Sequence, residues 1–117
     1  ESVAAVGFED GDIQIFYFNS EADVDQLDDF AKEKNTLFTE HDARVNVLKF
    51  NSSGNILVSG GDDNLIVVWD MVSQRPLFKL TGHTQPITDL HILNFHGVDY
   101  VVSASKDGLI RVWDTRI

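Results

Sequence analysis

The sequence predicts an all-β chain of about two and a half to three repeated four-stranded antiparallel units. Three observations carry the prediction. His41, Ser59, Asp63, Trp69 and Asp70 recur in the same order as His83, Ser103, Asp107, Trp113 and Asp114. The spacing is regular, 42 residues between the two histidines and 44 between the paired aspartates and between the tryptophans. Between these markers, short alternating runs of β-branched and aromatic residues are separated by Asp-Gly, Asp-Asn and Asn-Ser-Ser-Gly turn signals.

Taken in order, Ser2 to Phe8 and Ile13 to Phe18 read as a hairpin around Asp10-Gly11. Aligning Asp10 with Asp63 and Asp107 puts Val6 at the serine position, Phe16 at the tryptophan position and Tyr17 where Asp70 and Asp114 stand. The first unit therefore keeps the pattern's shape and loses its polar members. An acidic insertion at 20-34 follows, since Tyr17 to His41 takes 24 residues and Asp70 to His83 takes 13. It is read as a solvated loop or as a short helix capped by Ser20 and Asp23, with Val24, Leu27, Phe30 and Ala31 on one face.

Thr36 to Thr39 is expected as an outer strand. Val45, Leu48 and Phe50 match Ile87, Leu90 and Ile92 as first strands of successive units. Ile56 to Ser59 and Leu65 to Asp70 form the next hairpin, and the apolar run Ile66-Val67-Val68 suits a strand covered on both faces. Leu77 to Leu80 is expected as an outer strand, entered through Pro76, which an edge tolerates. Asn94 to Asp99 is expected as a loop before the hairpin Tyr100 to Ser105 and Leu109 to Asp114. The units are thus residues 1-39, partial and degenerate; 40-80, complete; and 81-117, without an outer strand.

With Gly82-His83, Trp69-Asp70 and Trp113-Asp114 in two aligned copies, about two thirds of the chain resembles the WD40 repeat family of β-propellers. The resemblance implies blades stacked radially. A closed propeller needs about four to eight blades of some 40 residues, so 117 residues beginning at Glu1 are expected to be a piece of a larger one.

The family resemblance also implies that His41, Ser59, Asp63 and Trp69, and then His83, Ser103, Asp107 and Trp113, form buried structural hydrogen-bond sets, with Ser105 as the alternative to Ser103. A Ser-His-Asp trio invites a hydrolase reading. A set repeated in tandem argues instead for architecture, so no catalytic residue is assigned. Glu40 stands where Gly82 stands, which predicts a different turn before His41.

His91, His96, Asp89 and Asp99 lack a recognised metal-ligand spacing, and the Asp-Gly turns lack the calcium-loop spacing. Lys49 occupies the position of His91, as expected for an exposed strand residue. No glycine-rich phosphate loop precedes a helix, and no cofactor or small-molecule substrate is expected. Nine basic against 19 acidic residues, a formal charge of -10, disfavour broad phosphate-backbone binding and favour a basic partner. Cysteine is absent, consistent with an intracellular protein. No apolar run reaches membrane-spanning length.

The resemblance implies a platform for protein partners in a multi-subunit complex. Candidate partner-binding loop residues are Asp42, Arg44, Asp62, Thr84, Gln85 and Lys106. A narrower similarity runs through Val6-Gly7-Phe8-Glu9-Asp10-Gly11, Ile66-Val67-Val68-Trp69-Asp70, Leu77-Phe78-Lys79-Leu80-Thr81-Gly82-His83, Ile87-Thr88 and Ser105-Lys106-Asp107. These runs resemble the tandem-propeller WD-repeat subunits of the UTP-B complex of the small-subunit processome. That similarity implies a nucleolar scaffold in 18S pre-ribosome assembly, with little direct RNA contact by this acidic segment. The alternatives are an adaptor in a ubiquitin ligase or trafficking coat, or a non-catalytic part of a larger enzyme.

Overall fold

The computed structural model describes residues 2–21 and 35–116. Among the described residues there are ten strands: β1 Ser2–Gly7, β2 Ile13–Phe18, β3 Asn35–Phe38, β4 Val45–Phe50, β5 Ile56–Gly61, β6 Ile66–Asp70, β7 Arg75–Leu80, β8 Ile87–Phe95, β9 Val98–Ser105 and β10 Ile110–Asp114. They form three antiparallel sheets ordered β1-β2-β3, β4-β5-β6-β7 and β10-β9-β8. From residue 22 onward the acidic insertion, with Asp23 of its expected cap and the whole of its expected apolar face, lies outside the described residues.

Each hairpin follows from its turn chemistry. Gly11 and Gly108 have φ of 99° and 84°, and Asn64, at the matching position, has φ of 69°. The left-handed region is open to glycine and is reached next most readily by asparagine. At Gly11 the requirement is also steric, because a Cβ would stand 2.3 Å from the carbonyl oxygen of His41.

The third sheet corrects one expectation. Asn94 to Asp99 is not a loop: β8 and β9 run through it and are joined by His96-Gly97 alone, at φ of 52° and 81°. Two consecutive left-handed residues make the type I′ turn that matches strand twist. The Asn94 side chain completes the tip, donating to Asp99 Oδ1 at 2.9 Å and accepting from the Gly97 amide at 3.3 Å. His-Gly is not one of the dipeptides by which such a turn is usually recognised.

Pro76 lies within β7 and not at its entrance. It pairs with Trp69, and the register shifts between Val68 and Trp69. A residue without an N–H is accommodated there because β7 is the outermost strand and the ladder already shifts register at that point.

The core lies between the sheets, not within any one of them. Ile13, Ile15 and Phe38 of the first sheet pack with Val45, Leu57, Val67 and Trp69 of the second. Val58, Ile66 and Val68, on the second sheet's opposite face, pack with Ile87, Leu90 and Val101 of the third. Both faces of β6 are therefore covered, which its unbroken apolar run requires. The same positions on β10 are open: Ile66 and Val68 are 0% and 1% exposed, whereas Ile110 and Val112 are 74% and 67% exposed.

Candidate partner-binding face and the hydrogen-bonded sets beneath it

The recurring polar residues meet at one end of the second and third sheets. In the second, His41 Nδ1 lies 3.0 Å from Asp63 Oδ2, and His41 Nε2 lies 2.7 Å from Ser59 Oγ. Trp69 Nε1 donates to the same hydroxyl at 2.9 Å. One direction of donation satisfies every member. The indole N–H gives to Ser59, whose hydroxyl gives to Nε2, while the Nδ1–H gives to Asp63. The carboxylate also accepts the amides of Asp42 and Leu65, at 3.0 and 3.2 Å, which ties the loop before β4 to the β5–β6 turn.

The third sheet repeats the geometry. His83 Nδ1 is 3.0 Å from Asp107 Oδ2, its Nε2 is 2.7 Å from Ser103 Oγ, and Trp113 Nε1 donates to that oxygen at 2.9 Å. Burial pushes the Asp107 carboxyl up, but the Leu109 amide, the His83 ring, the Thr84 amide and the Ser105 hydroxyl outweigh it and hold the group at about 2. Ser105 does not substitute for Ser103. Its hydroxyl donates to the Gln85 carbonyl at 3.0 Å and accepts the Asp107 amide at 3.1 Å, inside the turn. Gly61 stands at the matching place in the second sheet, where a Cβ would lie 2.7 Å from Asp63 Oδ1 and 2.9 Å from His41 Nδ1.

In the first sheet Phe16 is buried and Val6 is half-exposed. Asp10 keeps the local part of the pattern, accepting the Asp12 amide at 3.0 Å as Asp63 accepts that of Leu65. Glu40, in the place of Gly82, points to the outer strand and meets Lys79 Nζ at 2.9 Å.

Arg44, Asp62 and Lys106 line one cleft of about 320 Å³ with Asn46, Ile87 and Thr88. Asp42, Thr84 and Gln85 are exposed beside it and are not among its lining residues. The Asp42 and Thr84 amides are held by the Asp63 and Asp107 carboxylates of the buried sets, and the Gln85 carbonyl by the Ser105 hydroxyl. The side chains therefore project from a rigid base. Arg44 also pairs with Glu9 of the first sheet.

Asn46 escaped the sequence reading. Its Nδ2 donates to Asp62 Oδ1 at 2.6 Å and to the Ile87 carbonyl at 3.0 Å, bridging two sheets at the cleft floor. A polar residue between Val45 and Val47 is an ordinary strand pattern, and only the neighbouring sheet gives it a partner.

The imagined metal set is dispersed. His91 meets Asp89 at 3.3 Å on an exposed strand face, His96 sits in the β8–β9 turn, and Asp99 is engaged by Asn51 and Asn94. Lys49, like His91, is exposed. Among the described residues no cluster of three or more His, Asp or Glu could hold a metal, and no helix is long and apolar enough to cross a membrane.

Antiparallel sheets packed face to face, with a repeated Ser-His-Asp-Trp set under the loops of one edge, define a segment of a β-propeller. The chain belongs to the WD40 family: the model described as WD domain, G-beta repeat, matches residues 32–70 and 74–114. It is 39% identical over 70 residues to cell division control protein 4 of Saccharomyces cerevisiae, covering 60% of this chain and 9% of that protein. It is 35% identical over 71 residues to periodic tryptophan protein 2 of Arabidopsis thaliana, covering 60% and 8%. Against the DDB1- and CUL4-associated factor 11 homolog of Caenorhabditis elegans the identity is 31% over 122 residues, covering 98% and 21%. Among solved structures, a chain of the mitotic checkpoint complex superposes with a TM-score of 0.76 at 25% identity, covering 98% of this chain and 32% of its own length. The chain thus spans about a fifth or less of the length of these three relatives.

Proposed function

We propose that this segment is a non-catalytic scaffold that holds a protein partner on the loop face around Arg44, Asp62 and Lys106. The observation that carries the reading is the fate of the reactive-looking atoms. The Nδ1 and Nε2 atoms of His41 and His83, the Ser59 and Ser103 hydroxyls and both indole N–H groups are spent on one another and on Asp63 and Asp107. What faces solvent is a rigid, mixed-charge cleft between two blades, a surface built to hold and not to turn over.

The assembly we propose is the one that prepares the small ribosomal subunit, with 18S pre-ribosomal particles as context and the nucleolus as location. The support is the similarity of the Val6–Gly11, Ile66–Asp70, Leu77–His83, Ile87–Thr88 and Ser105–Asp107 runs to UTP-B WD-repeat subunits. With a formal charge of -10 the segment is suited to protein contact within the ribonucleoprotein more than to RNA itself. A second reading, an adaptor of a ubiquitin ligase or a vesicle coat, is favoured by the relatives. They include the DDB1- and CUL4-associated factor 11 homolog and a probable coatomer subunit beta′.

Crosslinked purification of the full-length protein from cells tests both. Recovery of U3 RNA with nucleolar proteins is the expected result. Recovery of a cullin adaptor set or a coat set would replace it.

A further inference from the structure

Glu9, Asp62 and Lys106 hold the same place in three successive blades, each directly before the aspartate of its turn, Asp10, Asp63 or Asp107. Arg44 and Pro86 likewise share one place, directly before Val45 and Ile87, the first residues of β4 and β8. Between the first and second blades these two places close on each other, the Arg44 guanidinium donating to Glu9 Oε1. Between the second and third they do not. Asp62 is the anion there, and Pro86 stands where the cation would be.

The difference is one of chemistry and not of spacing. A Cβ on Gly7 would stand 2.8 Å from Val45, and one on Gly60, in the same place a blade later, 2.6 Å from Ile87, so the sheets approach as closely at both boundaries. Asp62 is also held in position. Its Oδ1 accepts from Asn46 Nδ2 at 2.6 Å, and that amide is tied across the boundary to the Ile87 carbonyl at 3.0 Å. Among the described residues Asp62 forms no ion pair, and its Oδ2 has no hydrogen-bond partner. Arg44 lines the same cleft, but its guanidinium is committed to Glu9.

Given the scaffold role proposed for this face, we propose that the protein partner supplies the missing cation. An Arg or Lys of the partner enters the cleft of about 320 Å³ and pairs with Asp62, taking the place that Arg44 takes beside Glu9. A charge-assisted bond to a carboxylate already oriented by Asn46 needs little further ordering of this side of the contact. The formal charge of -10 draws a basic segment toward the surface. Lys106 lines the cleft from the third blade, so it disfavours a second cation beside the first and favours an acidic neighbour. The partner segment is thus one basic residue with an acidic residue close by.

The probes are fluorescent peptides of Gly and Ser carrying one Arg and one Glu, set one to three residues apart, titrated against the full-length protein by anisotropy up to about 1 mM. At least one spacing is expected to bind, and replacing its Arg by Gln is expected to weaken it about threefold or more. Pro86→Arg supplies the cation from within the protein and is expected to weaken the same peptide about as much, with the melting temperature near wild type. If Pro86→Arg does not fold, Asp62→Asn is expected to give the same loss. Binding that ignores the Arg, or that survives these variants unchanged, overturns the proposal. So does the absence of binding by every peptide. In that case capture of the cellular partner separates the two levels: if Asp62→Lys lowers it, the face stands and only the basic contact falls, and if capture is undiminished, the face falls as well.

Discussion

Asn51 reaches across from the second blade to the third, its Nδ2 donating to Asp99 Oδ2 at 2.8 Å. The same amide nitrogen meets Asn55 Oδ1 at 2.6 Å, and Asn51 Oδ1 accepts the Ile56 amide at 3.1 Å. Asp99 is held in turn by Asn94. One buried asparagine thus shapes the β4–β5 turn and clasps the β8–β9 hairpin. Asn51→Ala should cost about 1 to 3 kcal/mol, the penalty for buried groups left unpaired. Amide exchange of the complete propeller should quicken both in residues 51–55 and around Asn94. Quickening confined to the first turn would count against the clasp.

His83 is the hinge of a chain of bonds from Trp113 to Asp107, so its loss leaves the Ser103 hydroxyl without its ring acceptor and the Asp107 carboxylate without its ring donor. His83→Ala in the complete propeller should lower the unfolding free energy by about 1 to 3 kcal/mol. Denaturant titration checks this, and a midpoint equal to that of the wild type would show that the set does not hold the blade.

Asp107 should make the propeller acid-sensitive. Its carboxyl is drawn from the ordinary 3.8 to about 2, so the folded state binds its proton less readily than the unfolded state. Its contribution is complete above the ordinary value and is lost as pH falls through the folded-state value. Stability attributable to it should therefore drain away between about pH 4 and pH 2. Asp107→Asn should narrow the gap to wild type across that window; a gap unchanged from pH 7 to pH 2 would contradict the assignment.

Lys106 and Asp62 line the cleft but belong to no buried set. Exposed charge changes alter stability little, usually within about 0.5 kcal/mol. Lys106→Glu and Asp62→Lys should leave the melting temperature near wild type and weaken capture of the protein partner in pull-downs. Full retention of the partner by both variants would move its docking surface elsewhere.

Two glycines separate backbone strain from crowding. Gly54, at φ 76°, has nothing within 4 Å of an added Cβ, whereas at Gly11, φ 99°, the Cβ would strike the His41 carbonyl at 2.3 Å. Gly54→Ala should cost about 1 to 2 kcal/mol, the left-handed penalty alone. Gly11→Ala should cost distinctly more, read as a lower melting temperature, because backbone must move. Equal costs would mean that the first hairpin yields freely.

The WD40 assignment, the blade hairpins and the eight residues of the two polar sets could be read from the chain alone. Each hairpin turn is specified by residues close together, such as Asp63-Asn64 and Asp107-Gly108, and the same set recurs at a fixed period. The β8–β9 tip was misread because His-Gly is an uncommon carrier of a turn needing two left-handed residues. The Asn51 clasp and the Asn46 bridge were invisible for a different reason. They depend on which side chains meet across separate sheets 40 or more residues apart in the chain. Local spacing determined the blades, while the contacts between blades were decided by strand register and sheet packing, which place polar atoms against partners that no periodicity names.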